Sequence, residues 1–349
     1  MEFCIQLSPF YPDKSYGGDR VFNDMLEQAV LADKLGFDSV SITEHHLLNI
    51  LMMPAPLQFA TQIAQHTEKV KIITSIVVLP LHDMRIYAGE VVCADIFTKG
   101  RLMLGVGRGA FAFEMERCGV PMEATQDKFN ESLDLLQRLL TEEEVSANGK
   151  HYKFDPITIM PRPITPGGPQ MMMAVLNPEG IYHCTKRGFH IQTTPLAGQH
   201  ELLLKQVDGF NRAKDEMGEA GKDLTLSLSR VGFVCNSGAQ IADRMGKAEA
   251  YYSRFDNVFT GPGIVENGLI KELPRKQTRD ELAKSLLVST TQEMVDKLGV
   301  YSDLGINRFI FNCNFGVSQT ETLENIQQFA EEVAPHFSSS MKLQMEAAE

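Results

Sequence analysis

The chain has 349 residues, 43% hydrophobic and 22% charged, which is the balance of a globular protein with a sizeable core rather than of a disordered or membrane chain. A net charge of −12 with no basic stripe opposes binding to nucleic acid or anionic lipid, and no apolar run is long enough to cross a bilayer. Six cysteines without a C-x-x-C pair speak against zinc and disulfides, so a cytoplasmic protein acting on a small molecule is the expectation.

Along the chain, short apolar runs alternate with amphipathic stretches. A strand over 3–7 precedes a helix over 20–35, a strand over 39–43 precedes a helix over 55–66, and a strand over 71–79 precedes a helix over 84–97. Next come a strand at 102–106, a helix at 125–140, and strands at 170–175 and 190–193. A helix at 201–217, a strand at 224–234, helices at 241–252 and 291–304, a strand at 308–312 and a helix at 320–332 complete the series. Gly36, Gly100, Gly188 and Gly305 stand where helices hand over to strands. Eight βα units without an evident second domain predict an α/β fold, a (β/α)8 barrel over residues 1–337 with insertions in its loops, rather than an open doubly wound sheet.

Two segments fall outside the repeat. Residues 146–168, with Tyr152-Lys153-Phe154, four prolines and Gly167-Gly168, predict a hairpin and loop before the fifth strand. Residues 260–284 predict a long mobile loop of the kind that covers active sites. The tail 338–349 is predicted to fray.

In a parallel barrel the reacting groups stand at the C-terminal ends of the strands. Glu44-His45-His46 follows the second strand, Arg108-Gly109 the fourth, and Asn177-Pro178-Glu179-Gly180 the fifth. Adjacent histidines on an extended backbone face opposite ways and lack a metal-ligand spacing, so no metal site is predicted. They suit packing under a loop or general acid–base work, with the neighbouring Glu44 placed to orient the imidazole. Gly105-Val106-Gly107-Arg108-Gly109 departs from the dinucleotide fingerprint, but its N–H groups and guanidinium suit a phosphate. Met171-Met172-Met173 is assigned to the core.

Leu35 through Val40 leading into Glu44-His45-His46, then Ile76-Val77-Val78-Leu79-Pro80, Lys99-Gly100-Arg101 and Gly105 through Gly109, resemble the second to fourth units of the bacterial luciferase-like flavin-dependent monooxygenases. Ser289-Thr290-Thr291-Gln292-Glu293 stands where that family carries a G-T-P-E turn. The resemblance implies an enzyme that takes reduced FMN from a separate NAD(P)H:flavin reductase and reacts it with O2 to a flavin 4a-hydroperoxide. One oxygen atom then enters a small organic substrate. It implies His45 as the catalytic base, with Glu44 and His46 shaping the flavin face of the site. Arg108 would grip the FMN phosphate, with Gly109, Ala110 and Phe111 closing over the cofactor, and a cis peptide is implied at Ser75-Ile76. Where luciferase has an acidic residue and a serine after the fifth strand, this chain offers Asn177 and the N–H groups near Gly180. A homodimer, or a heterodimer with a related subunit, built on the second and third helices is implied as well. The alternatives are a deazaflavin-dependent hydride-transfer oxidoreductase on the same barrel and a non-catalytic flavin-binding protein.

Overall fold

The computed structural model describes residues 1–196, 200–275 and 277–338. Strands β1 (Glu2–Leu7), β2 (Ser39–Ile42), β3 (Lys71–Thr74), β4 (Leu102–Gly107), β5 (Gln170–Ala174), β6 (His190–Thr193), β7 (Leu226–Val234) and β8 (Arg308–Asn312) pair in parallel, each with its neighbour in the chain. Leu226 of β7 pairs with Ile191 of β6, and Arg308 of β8 pairs with Glu2 of β1. The sheet therefore closes on itself as an eight-stranded barrel, which leaves these strands without a free edge. Side chains alternate between the barrel interior and the helical shell. Cys4, Ile73, Met103, Met172 and Ile310 meet inside as one buried layer, so the lower barrel is packed rather than open.

Around the barrel run α1 (Gly18–Lys34), α2 (Pro56–His66), α3 (Met84–Phe97), α4 (Ala112–Arg117), α5 (Thr125–Thr141) and α6 (Pro178–Lys186). Then follow α7 (His200–Met217), α8 (Gly238–Phe259), α9 (Arg279–Ser285), α10 (Thr291–Asp303) and α11 (Gln319–Gln328). Helix α1 shows why they dock: Val21, Met25, Gln28, Ala29 and Ala32 are buried on one face at helical spacing. Gly36 and Gly188 close α1 and α6 with φ of 81° and 87°, a backbone that side chains rarely accept. Among the described residues no helix is long and apolar enough to cross a membrane.

The structure departs from the sequence reading in four places. The third strand, predicted as continuous over 71–79, stops at Thr74 and resumes as Val77–Val78. At the break Ser75 N donates to Ile42 O of β2 at 2.6 Å, the Ser75–Ile76 peptide is cis, and Val77 and Val78 then pair with Val106 and Gly107 of β4. Helices α4 and α6 stand where the sequence reading placed no helix. The segment 260–284 is not a bare loop: it holds an antiparallel pair, Val265–Glu266 with Leu269–Ile270, and helix α9. Buried Ile270 N donates to Asn49 Oδ1 at 2.9 Å, which ties the segment to the β2–α2 connection. The predicted insertion before β5 does form a hairpin, Val145–Asn148 with Lys153–Ile157. Beyond Ser338 the predicted tail lies outside the described residues.

Candidate active site

Strand β2 delivers Thr43-Glu44-His45-His46 to the C-terminal rim of the barrel, where the backbone is fixed on two sides. Glu44 N donates to Ile76 O at 3.0 Å, and His45 and Met53 exchange N–H···O bonds at 3.2 Å each. On this extended backbone the two imidazoles diverge, and each finds its own buried carboxylate.

The carboxylate that orients His45 is not its neighbour. Glu44 turns the other way, and His45 Nδ1 instead meets Glu114 of α4 at 3.0 and 3.2 Å. Glu114 is fully buried and also accepts the His46 main-chain N–H at 2.9 Å. The His45 ring lies on Phe111, with centroids 4.3 Å apart and planes at 14°. A carboxylate on Nδ1 holds the proton there, so Nε2 is the free nitrogen for acid–base work. Among the described residues that nitrogen has no hydrogen-bond partner.

Glu44 organises a second cluster. One of its oxygens accepts from His46 Nε2 at 2.9 Å and His82 Nε2 at 2.8 Å, and the other accepts from Val78 N at 2.6 Å. Burial by itself would raise the Glu44 carboxyl, but the bonds from His46, His82 and Val78 hold it down at about 2. The same Glu44 bond draws the His46 imidazole above its ordinary value. His82 in turn stacks on Tyr87 at 4.1 Å. Both imidazoles give Nε2 to the one carboxylate, so the cluster clamps the β2 and β3 exits together.

The exit of β4 is thinned by glycine. A Cβ on Gly105 would sit 1.9 Å from Thr74 O, and one on Gly107 2.6 Å from Ile76 Cδ1, so these glycines let two strands approach closely. Arg108 is exposed and makes one long bond, Nη1 to Thr125 Oγ1 at 3.3 Å. Gly109, at φ 84°, turns the chain through exposed Ala110 into buried Phe111, the N-cap of α4. At the adjoining β5 exit Asn177 is itself an N-cap: its Oδ1 accepts from Glu179 N at 2.9 Å and Gly180 N at 3.1 Å. The Gly180 N–H expected to face a phosphate is thus already satisfied within α6. Ser75 Oγ donates to Gln192 Oε1 of β6 at 2.8 Å.

The fold therefore brings His45 together with Phe111, and Glu44 with His46, and it places Arg108 and Asn177 on neighbouring strand exits without contact. Sequence reasoning missed Glu114, His82 and Gln192. Glu114 is 69 residues from His45, and nothing local marks it as a partner.

A family model described as luciferase-like monooxygenase matches residues 1–308. The chain belongs to the luciferase-like monooxygenase family. It is similar to the oxygenase component of the flavin-dependent trigonelline monooxygenase of Acinetobacter baylyi, 26% identical over 92% of this chain and 91% of that one. It is also similar to the F420-dependent glucose-6-phosphate dehydrogenase of Kribbella flavida, 25% identical over 89% of this chain and 93% of that one. Among solved structures it resembles the monooxygenase RslO1 of Streptomyces bottropensis, with a TM-score of 0.84 at 23% identity over 97% of this chain and 100% of that one. As a member of this family the protein is an enzyme of the luciferase-like monooxygenase class, and the barrel rim carrying His45 and Arg108 is its candidate active site.

Proposed function

We propose that the protein is the oxygenase component of a two-component system: it binds reduced FMN delivered by a separate NAD(P)H:flavin reductase and uses O2 to place one oxygen atom on a small organic substrate. The observation that carries this reading is His45, held by buried Glu114 at 3.0 Å on the same barrel rim as the sparsely bonded Arg108. Reduced flavin, when bound, supplies the electrons that activate oxygen.

The residues present fit a phosphorylated flavin. Arg108 offers a guanidinium whose protein partner is a neutral hydroxyl, leaving donors for a phosphate. Gly109 and Ala110 add a backbone with little side-chain bulk, and Ser75 and Ile76 stand at the break in β3, with Ile76 close against Gly107 of β4. On the β5 side Asn177 Nδ2 is the remaining donor, since the Gly180 N–H is taken by the cap. His45 holds or moves a proton at Nε2, Glu114 fixes the tautomer, and Phe111 keeps water from the ring. Glu44 and His46 keep the rim in place.

The deazaflavin reading has the Kribbella relative behind it. That cofactor's long acidic tail calls for a run of cations, and this chain has 33 basic residues against 45 acidic ones. An anaerobic titration separates the two: reduced FMN is expected to bind more tightly than oxidised FMN or reduced F420. Turnover with a flavin reductase and NADH, followed by product mass, tests the oxygenase step, and F420-dependent reduction with no oxygenated product would reverse the assignment. We also propose a contact between two copies built on α2 and α3, to which α3 would contribute Ile86 and Phe97, 67% and 55% exposed, and sedimentation of an Ile86→Glu, Phe97→Glu variant checks it.

A further inference from the structure

Of the three arginines buried to this depth among the described residues, two have carboxylates: Arg244 pairs with Asp243 and Glu321, and Arg308 with Glu2. The third, Arg230 on β7, is only 6% exposed. Among the described residues its side chain makes no ion pair and no hydrogen bond, and its Nε is buried without a partner. A guanidinium removed from water and left without a counter-charge is costly, so its place in the folded chain calls for an anion from outside.

Arg230 lines a cavity of about 110 Å³ at the mouth of the barrel, with Gln6, Ser229, Asn312, Tyr251 and Tyr252 among its walls. Ser229 Oγ already donates to Gln6 Oε1 at 3.2 Å. Burial holds the Tyr251 phenol well above its ordinary value, so it stays neutral and offers Arg230 no charge. Phe255 also lines the cavity, and its ring lies 5.8 Å from Phe111, which stacks on His45. One aromatic ring, Phe111, separates the cavity wall from the candidate base.

We propose that this cavity is the substrate site and that the substrate is a small aromatic carboxylate, its carboxylate paired with the Arg230 guanidinium and its ring set among Tyr251, Tyr252 and Phe255. This rests on the oxygenase reading above and deepens it by naming the substrate class. Arg230 would act as a binding and orienting residue: a bidentate guanidinium–carboxylate pair fixes the direction of the ring as well as its position.

The test compares benzoate with benzamide, which share ring and shape and differ in charge, by calorimetric titration of the protein without flavin. Wild type is expected to bind benzoate about ten- to a hundredfold more tightly than benzamide, the range of a charged hydrogen bond. Arg230→Gln is expected to lose the preference. Arg230→Met, which removes an unpaired charge, is expected to melt at the same temperature as wild type or higher. Equal affinities in wild type, no binding of either probe, or a lowered melting temperature for Arg230→Met each overturn the assignment. Reduced FMN is titrated into the same samples. Intact FMN binding without a benzoate preference removes only the carboxylate claim. A benzoate preference in a chain indifferent to reduced FMN removes the oxygenase claim and leaves the Arg230 site standing.

Discussion

Glu114 and His45 meet at 3.0 Å although 69 residues of chain separate them. The contact joins α4 to the exit of β2, and it fixes which ring nitrogen of His45 is left without a partner among the described residues.

If His45 serves as the acid–base group, His45→Ala is expected to lower product formed per reduced flavin by about 10²–10⁴-fold. Hydrogen peroxide release should rise while reduced-FMN affinity stays within a few fold. Glu114→Gln is expected to move product yield in the same direction by a smaller amount, because an amide can still accept from Nδ1. Normal coupling in His45→Ala would make this residue structural.

The Glu44 cluster is expected to appear in stability against pH. Its folded carboxyl lies at about 2, well below the ordinary glutamate value, so its contribution is present above the unfolded value and is lost as pH falls through the folded one. His46 is raised, so its share is complete below its unfolded value and fades as pH rises through the folded one. The melting-temperature gap between wild type and Glu44→Gln should therefore be widest between those two ranges and narrow on both sides. A gap flat from pH 3 to 9 would show that the cluster adds no charge-dependent stability.

Arg108→Gln is expected to weaken reduced FMN by about ten- to a hundredfold while leaving reduced riboflavin, which lacks the phosphate, unchanged. Anaerobic titration of both flavins decides the matter, and an equal loss for both would move the phosphate elsewhere.

Gly105→Ala is expected to destabilise by about 2–4 kcal/mol or to prevent folding, because its Cβ would fall 1.9 Å from the Thr74 carbonyl and two barrel strands would have to part. Gly119→Ala is the control. Gly119 has φ 80° and nothing within 4 Å of the added atom, so only backbone strain remains, about 1 kcal/mol. Chemical denaturation of both variants provides the comparison, with equal losses counting against the close approach.

The eight strands were legible because each is an apolar run bounded by turn residues, with glycines such as Gly36 and Gly188 at the helix exits. Helix α6 was missed because Pro178–Lys186 is short and polar, and the Asn177 side-chain oxygen that caps it was read only as part of a ligand site. Helix α9 did carry a local signal, the Thr278–Glu281 capping box, overlooked within a stretch read as loop. Half of the proposed site was legible in Glu44-His45-His46 and Arg108, which the fold brings to one barrel rim. The other half, Glu114 and His82, was not, since hydrogen bonds across two strand exits leave no periodicity. Adjacency in sequence was misleading in one respect: Glu44 suggested itself as the partner of His45, yet consecutive residues on extended backbone diverge, and the carboxylate went to His46.

The chain of rings from His45 to Phe111 and on to Phe255 bears on how this enzyme could change its diet. Phe255 and Phe259 are 5.4 Å apart on one helix, and both touch Phe111 edge-on. A mutation that reshapes the pocket for a larger substrate at position 255 also removes the support beneath the ring on which His45 rests. On the roles proposed for the cavity and for His45, selectivity and reactivity are mechanically tied at this wall, so new substrate preferences are easier to reach at Gln6, Ser229 or Asn312, which line the cavity from strands and not from the helix that carries the aromatic stack.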